Sequence, residues 1–397
     1  MREIIKKLQT FFFVLLGVAI PTSIAASGII MGFLALLWIF EGGFNEKLKQ
    51  IISSKWMLAV LALISYYGLA MLWGDNHENS SWIFQRIPLL LMFIVFATAN
   101  FKKKVFKFGA IAFLITTFIS ALIAIAIDFG IIQELYNYTN MISLNNDHKS
   151  AFIKYNYHNL LLAFSALLCF YLLIEKQTKY PIILLLFILI YGWSIFSEAG
   201  RAGHLIFILF FILYSAYYIK QKALIVLGLL GLLSVILIGS YKFSHPFKVR
   251  IDEGVEVVLN KGKRPGKIKD IRYVFVQESI SYIKEKPFLG YGTGSFGTIF
   301  NREVKSGHKF HTHTTPHNNY LYVWFELGIV GLILLLSIFY FQIRELIVLK
   351  NRFHRLILPL MFMIIMLVDS YFFIFILTTF YIYFYTIYSR VNLDKPS

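Results

Sequence analysis

Long apolar runs constrain this chain more than any other feature. Stretches of about 20 apolar residues, the length that crosses a bilayer as a helix, recur along the whole sequence. Only 15% of the 397 residues are charged and 58% are hydrophobic, which is outside the usual range for soluble domains. We expect an all-α, polytopic integral membrane protein with about twelve spans, over residues 8–22, 24–40, 56–73, 82–99, 106–127, 158–175, 181–196, 203–219, 223–240, 317–340, 356–369 and 371–389.

The first and the last apolar runs are each longer than one span needs. Pro21 with Ser23 divides the first run, and Asp369 with Ser370 divides the last. If either run were a single tilted helix, the number of spans would fall and the orientation of the chain would change. Asp369 could orient a histidine or an arginine, but we interpret it as a residue that ends a helix.

The distribution of lysine and arginine predicts the orientation. With both termini in the cytoplasm, about 20 of the 38 basic residues fall in inner segments and about 4 in short outer loops, as the positive-inside rule requires. The remainder lie in one long extracytoplasmic loop between spans nine and ten. The sequence thus divides into a membrane bundle (1–240), this loop (241–316) and the last spans (317–397). No cleavable signal peptide is expected.

The net charge of +17 is consistent with contacts to anionic membrane lipids. Cations spread over both sides of a membrane argue against a nucleic-acid partner. The long loop contains about 14 basic and about 7 acidic residues, and this excess of positive charge favours an anionic ligand such as a phosphate or an acidic glycan.

The long loop contains a glycine-rich turn, Pro287-Phe-Leu-Gly-Tyr-Gly-Thr-Gly-Ser-Phe-Gly297. Apolar spacing over Ile271–Glu285 predicts an amphipathic helix on the membrane surface just before it. Because the turn follows a helix and faces the outside, we exclude the nucleotide-binding glycine motifs. We expect the turn to expose backbone N–H groups, those of Gly292 and Gly294 among them, to an anion.

A histidine stands where the next span begins. Thr315 as N-cap and Pro316 as first helical residue would place His317 and Asn318 in the first helical turn, where unpaired N–H groups favour anions. Histidine can take up a proton near neutral pH. The other loop histidines do not match known ligand spacings, so we expect no metal and no cofactor; they are His308, His311 and His313.

An arginine lies close to the hydrocarbon between spans seven and eight. Arg201 is flanked by apolar sequence, where an arginine costs about 2.5–3.5 kcal/mol on insertion scales. A local pair with Glu198 is the structural alternative, but the glycines at 200 and 203 favour close approach of a ligand or another backbone. Two weaker substrate-binding candidates face the outside: His158, which opens span six, and Arg86, an alternative membrane anchor.

Together, these motifs resemble the O-antigen ligase/polymerase superfamily. The similarity rests on the glycine-rich turn, on Pro316-His-Asn-Asn-Tyr-Leu and on Glu326-Leu-Gly-Ile-Val-Gly-Leu332. The resemblance implies a membrane glycosyltransferase that acts on the outer face of the bacterial inner membrane. Such enzymes move a glycan from undecaprenyl diphosphate to an acceptor hydroxyl, without a metal and with inversion at the anomeric carbon.

The resemblance also assigns roles to individual residues. Arg201 and Arg272 match the family's two arginines that bind the diphosphate, although Arg272 could equally be an ordinary interfacial cation. His317 matches the histidine that activates the acceptor, and Asn318 and Glu326 in the same motifs are expected to contact substrate. Arg201 departs from the pattern, because glycine stands where many members carry serine directly before it. We expect Arg201, Arg272 and His317 to meet just outside the bilayer.

The sequence leaves the acceptor open. We favour lipid A-core, which makes the protein a ligase. A lipid-linked repeat unit would make it a polymerase, and a protein acceptor would make it an O-oligosaccharyltransferase. A transporter is the rival from another class, but transporters commonly show internal duplication around the bilayer midplane, and the sequence has no evident repeat.

Overall fold

The computed structural model of the chain describes residues 2–74, 87–132, 151–175, 178–198, 200–244, 247–249, 251–252, 255, 271–302, 315–349 and 352–390. These residues form helices and connections without a strand. Six helices are long and apolar enough to cross a membrane, and three shorter apolar helices accompany them. The predicted class, a polytopic all-α membrane protein, is confirmed at this level. The count of twelve spans stays a prediction, as does the placement of the long loop.

The helices of the N-terminal part are α1 (Arg2–Ala19), α2 (Ile24–Glu41), α3 (Phe44–Ser53), α4 (Lys55–Leu69), α5 (Leu91–Thr98), α6 (Lys103–Asp128), α7 (Tyr155–Ile174) and α8 (Pro181–Ser197). Those that follow are α9 (Arg201–Phe243), α10 (Ile271–Glu285), α11 (Ser295–Arg302), α12 (Asn319–Ile347), α13 (Arg352–Ile365) and α14 (Phe375–Arg390). The predicted amphipathic helix Ile271–Glu285 is therefore present as α10.

Both predicted divisions of the long apolar runs are confirmed. The chain leaves the helical conformation between Ala19 and Ile24, around Pro21, because proline lacks the N–H that a helix interior requires. It leaves it again between Ile365 and Phe375, around Asp369, with a short 3-10 helix over Tyr371–Phe373.

Two of the longest helices are interrupted. Helix α9 has 43 residues, which would extend about 65 Å and exceed twice the thickness of the hydrocarbon core. It breaks at Lys222 (φ −139°, ψ 42°), between the predicted spans eight and nine. The Lys222 ammonium donates to the carbonyl of Ile174 at the end of α7, at 2.6 Å.

Helix α12 breaks at Gly328 (φ 64°, ψ −168°), whereas we had predicted one span over 317–340. Beyond the break about 19 residues remain helical, about 28 Å, which is close to one hydrocarbon thickness. The nine residues before it form a separate short segment. That segment follows directly on His317 and Asn318.

The helices group into two compact units. One comprises residues 1–12, 31–103 and 267–395, and in it α4 packs against α12 while aromatic rings of α4, α5 and α14 meet edge to face. The other comprises mainly 13–30 and 104–266, with α7 packed against α8 and α9. Nearly every side chain of α7 beyond His158 is buried, so this helix is the centre of its unit.

Candidate functional site

A histidine just before α12 forms a pair with an aspartate that lies between α13 and α14. The Nδ1 atom of His317 is 2.9 Å from Oδ1 of Asp369, and the two side chains are 35% and 20% exposed. Asp369 also accepts the backbone N–H of Ser370 at 2.7 Å. Our interpretation of Asp369 as a residue that only ends a helix is therefore wrong. It orients the one histidine that the sequence motifs select.

The start of α12 differs from the prediction. Asn318, rather than Thr315, is the N-cap: its side-chain oxygen accepts the N–H groups of Tyr320 (2.9 Å) and Leu321 (3.0 Å). Asparagine caps helices at least as well as threonine. His317 therefore lies before the cap and not in the first helical turn. Asn318 has a structural task, and its predicted contact with substrate stays a prediction.

His317 holds an unusual backbone conformation. Its φ of 53° is the one positive φ among the non-glycine residues that the structure describes. The left-handed conformation costs an L-residue roughly 1–2 kcal/mol, and such strain is concentrated at functional sites. The position of this imidazole is therefore set by its surroundings against a local preference.

Two asparagines supply contacts that offset this strain. The Asn318 amide donates to the carbonyl of Leu367 at 3.1 Å, and the Asn319 N–H donates to Met366 at 2.8 Å. The Asn319 side chain accepts the N–H of Phe372 at 3.0 Å. These bonds tie the start of α12 to the segment that carries Asp369. The histidine and its carboxylate partner are thereby held in fixed register.

The pair has the hydrogen-bond order of a general base. When Nδ1 of His317 carries the hydrogen that Asp369 accepts, Nε2 is the proton-accepting nitrogen. The carboxylate also stabilises the imidazolium that forms when Nε2 takes a proton. The ring of Phe275 in α10 lies 5.6 Å from the imidazole, centroid to centroid, and forms an apolar wall.

The glycine-rich turn packs against the break in α12. Gly290, Gly292 and Gly294 all have positive φ, at 70°, 92° and 81°. The Gly292 N–H donates to the carbonyl of Glu326 at 2.8 Å, and Tyr291 donates to Phe325 at 2.9 Å. These are carbonyls that the break at Gly328 leaves without helical partners. Anion binding by Gly292 and Gly294 stays a prediction, and these contacts do not favour it.

Glu326 belongs to the same packed region. Its side chain has no exposed surface, and Oε1 lies 3.4 Å from the N–H of Phe296. It thus contacts the helix that follows the glycine turn. Its predicted contact with substrate stays a prediction, without exposed surface to support it.

In the other unit, a buried hydrogen-bond chain leads to the turn between α8 and α9. Ser120 Oγ lies 2.9 Å from Nε2 of His158, and Nδ1 of His158 lies 2.7 Å from Oε1 of Glu198. Burial raises the pKa of Glu198, while the charge and the hydrogen bond of His158 oppose the rise. His158 has no exposed surface, so a direct contact with substrate has no support here.

Arg201 is the first residue of α9, and its side chain is exposed. The predicted alternative, a local pair with Glu198, is not formed, because Glu198 contacts His158. Within the described part of the chain, the guanidinium makes no hydrogen bond or ion pair. The adjacent glycines do admit another segment, as predicted: a Cβ on Gly203 would lie 2.6 Å from Cβ of Asn159.

The remaining candidates have different outcomes. Arg272 is the second residue of α10, but its side chain lies outside the described residues, as do all of Arg86 and the histidines 308, 311 and 313. Arg201 belongs to one unit and His317 to the other. The predicted meeting of Arg201, Arg272 and His317 stays a prediction.

Comparison with known proteins supports the resemblance. Residues 184–336 match the model of the O-antigen ligase family. A Rickettsia conorii protein, whose name describes it as a polysaccharide ligase by inference, is 40% identical over 75 residues. That alignment covers 18% of this chain and 18% of the relative. The matched range contains Arg201, Arg272 and His317, so the similarity to the O-antigen ligase family includes three of the predicted site residues.

Proposed function

We propose that the protein is an inverting glycosyltransferase that moves a glycan from undecaprenyl diphosphate to a hydroxyl of lipid A-core, on the outer face of the bacterial inner membrane. The observation that carries this proposal is the oriented His317–Asp369 pair, whose histidine lies inside the segment that matches the O-antigen ligase family. The name of the Rickettsia relative favours ligation over polymerisation.

In the proposed reaction, Nε2 of His317 takes the proton of the acceptor hydroxyl as its oxygen attacks the anomeric carbon. A new glycosidic C–O bond forms on one face while the bond to the diphosphate breaks on the other, so the configuration inverts. Undecaprenyl diphosphate departs with the bonding electron pair. Asp369 remains ionised and stabilises the imidazolium until the proton leaves to solvent.

In this proposal, arginines bind and stabilise the leaving group. A diphosphate gains negative charge as it departs, and a guanidinium binds phosphate oxygens through two parallel hydrogen bonds while it stays charged. Arg201 suits this task because its side chain is exposed at the start of α9, where the helix dipole also favours anions. We assign the same task to Arg272, and we assign no step to a metal ion.

A deletion strain tests the proposal. The strain is complemented with the wild-type gene or with His317→Ala, and its surface polysaccharide is separated on a gel. We expect wild-type protein to restore long chains on lipid A-core. His317→Ala should leave the core bare and lipid-linked chains accumulated, although it reaches the membrane at wild-type level.

Two outcomes would change the proposal. Normal glycan transfer by His317→Ala removes this histidine from the mechanism. A deletion strain whose core carries a single repeat unit shows that the missing step is polymerisation, because ligation must then have occurred without this protein.

A further inference from the structure

We propose that His158, Asn159 and Glu198 are positioning residues for Arg201, acting from inside the protein without contact to substrate. This inference rests on the proposed function, since it takes Arg201 as a ligand of the donor diphosphate. The turn between α8 and α9 is the element through which they act.

The first half of the argument is the contact between His158 and Glu198. Glu198 is the C-cap that directly follows α8, in an extended conformation (φ −89°, ψ 162°), and Arg201 begins α9 three positions later. Its carboxyl points inward to Nδ1 of His158 at 2.7 Å instead of outward to the arginine. Ser120 of α6 fixes the other ring nitrogen of His158 at 2.9 Å. The turn is therefore anchored at its first residue.

Asn159, the next residue of α7, anchors the far end of the turn. Its side-chain nitrogen donates to the carbonyls of Ile195 at 3.2 Å and Gly200 at 3.3 Å. Its atoms fill the space that side chains on Gly200 and Gly203 would occupy. Adjacent residues of one buried helix thus hold both Glu198 and Gly200. The start of α9, and with it the Arg201 backbone, is fixed by these contacts.

The order Ser120–His158–Glu198 resembles that of a hydrolase triad, but the burial excludes a nucleophilic role. Ser120 and His158 have no exposed surface and Glu198 is 5% exposed, so a substrate cannot reach the serine. A purely structural role is also a weak explanation. Burying an acid and a histidine is unfavourable, and apolar residues of similar size would pack as well. What the polar contacts add is a defined direction for the turn.

If these residues act by positioning Arg201, the effects of substituting Glu198 and Arg201 on diphosphate affinity should not be additive. Glu198→Ala should release the turn and lower the affinity for the diphosphate. Glu198→Gln should largely preserve it, because its amide oxygen can still accept from Nδ1 of His158. In the Arg201→Ala background, Glu198→Ala should have no further effect, because the group that it positions is gone.

The experiment measures binding of undecaprenyl diphosphate to the full-length protein in nanodiscs, so it does not depend on turnover. We expect Glu198→Ala to weaken binding about tenfold or more, Glu198→Gln to stay within about threefold, and the double variant to match Arg201→Ala. Ser165→Ala is the matched control. It removes a buried hydroxyl on α7 that contacts Thr117 at 3.1 Å, away from the turn, and should bind as the wild type does.

Wild-type affinity in Glu198→Ala, or losses that add in the double variant, overturns the inference. If Glu198→Ala does not yield monodisperse protein, His158→Asn and His158→Leu replace it: the asparagine amide can still donate to Glu198 and should bind, whereas the leucine should not. Equal binding by these two also overturns the inference. The proposed function fails separately, when the wild-type protein neither binds the diphosphate lipid nor supports glycan transfer.

Discussion

At the scale of single residues, the two roles of Asp369 can be tested separately. One task is to accept the N–H of Ser370, which shapes the chain between α13 and α14, and the other is to hold the His317 imidazole. Asp369→Asn keeps an oxygen for the first task but cannot balance an imidazolium charge. Asp369→Ala removes both.

We therefore expect Asp369→Asn to retain a normal thermal unfolding temperature but to lower kcat about 10- to 100-fold. The loss should be smaller than for a fully buried triad aspartate, since this pair is partly exposed and water screens it. Asp369→Ala should lose both activity and stability. The measurement is glycan transfer in vitro beside thermal unfolding in detergent. Full activity in Asp369→Asn would show that this carboxylate only shapes the chain.

Sequence reasoning reached His317 and missed its partner for a physical reason. His317 follows a proline and precedes asparagines at the start of an apolar run, so local signals mark it. Asp369 lies 52 positions later in the chain, and its contact with His317 exists only once α12 and α13 pack. The same holds for His158 and Glu198, whose separation is 40 positions. Spacing along a chain predicts helix neighbours, but it does not predict these tertiary pairs.

At the scale of elements, the break in α12 is the feature that organises the region around His317. Gly328 has positive φ, and a Cβ on it would lie against the carbonyl oxygen of Phe288, so a side chain there would overlap backbone atoms. Pro287 accepts the N–H of Ile329 at 2.9 Å directly beside it. The glycine-rich turn and the break are therefore two halves of one backbone-to-backbone contact.

Gly328→Ala should destabilise the protein by about 2–4 kcal/mol, because alanine adds both an unfavourable φ and an overlap that rigid backbone cannot relieve. Gly231→Ala is the matched control. Gly231 lies within α9 with no atom near its missing Cβ, so alanine should be neutral or stabilise by up to about 1 kcal/mol. Thermal unfolding followed by size-exclusion chromatography compares them. Equal unfolding temperatures would mean that the break tolerates a side chain.

The sequence predicts an element boundary where a single residue determines it. It does not predict a boundary that depends on tertiary packing. Pro21 ends a helix by its own chemistry, and the amphipathic period of Ile271–Glu285 is local. The break at Gly328 is different, because no proline or polar turn residue directly follows it in the apolar run. Only the glycine-rich turn, which supplies acceptors and donors to the opened backbone, makes the break favourable. The short helix α3 was missed for a different reason, because it has 10 residues and is too polar on one side to register as a span.

At the scale of the whole molecule, the path of the chain across the bilayer decides on which side each connection lies. Positive-inside reasoning places Lys220 in the cytoplasm and the region around α10 outside, with the second part of α9 crossing between them. The break at Lys222 supports a turn at that point. The native chain suits a labelling test, because its single cysteine, Cys169, is fully buried.

Lys220→Cys and Lys284→Cys, made separately in a Cys169→Ser background, report the two sides, since both lysines are exposed on their helices. We expect a membrane-impermeant maleimide added to spheroplasts to label Lys284→Cys at once and Lys220→Cys only after the membrane is opened. The physical reason is that short basic segments resist translocation, whereas long loops cross largely regardless of charge. Labelling of both from outside would mean that α9 does not cross between these positions. The reverse order would put His317, which follows the same loop, on the cytoplasmic face, where the proposed donor, a glycan carried on the outer leaflet, cannot reach it.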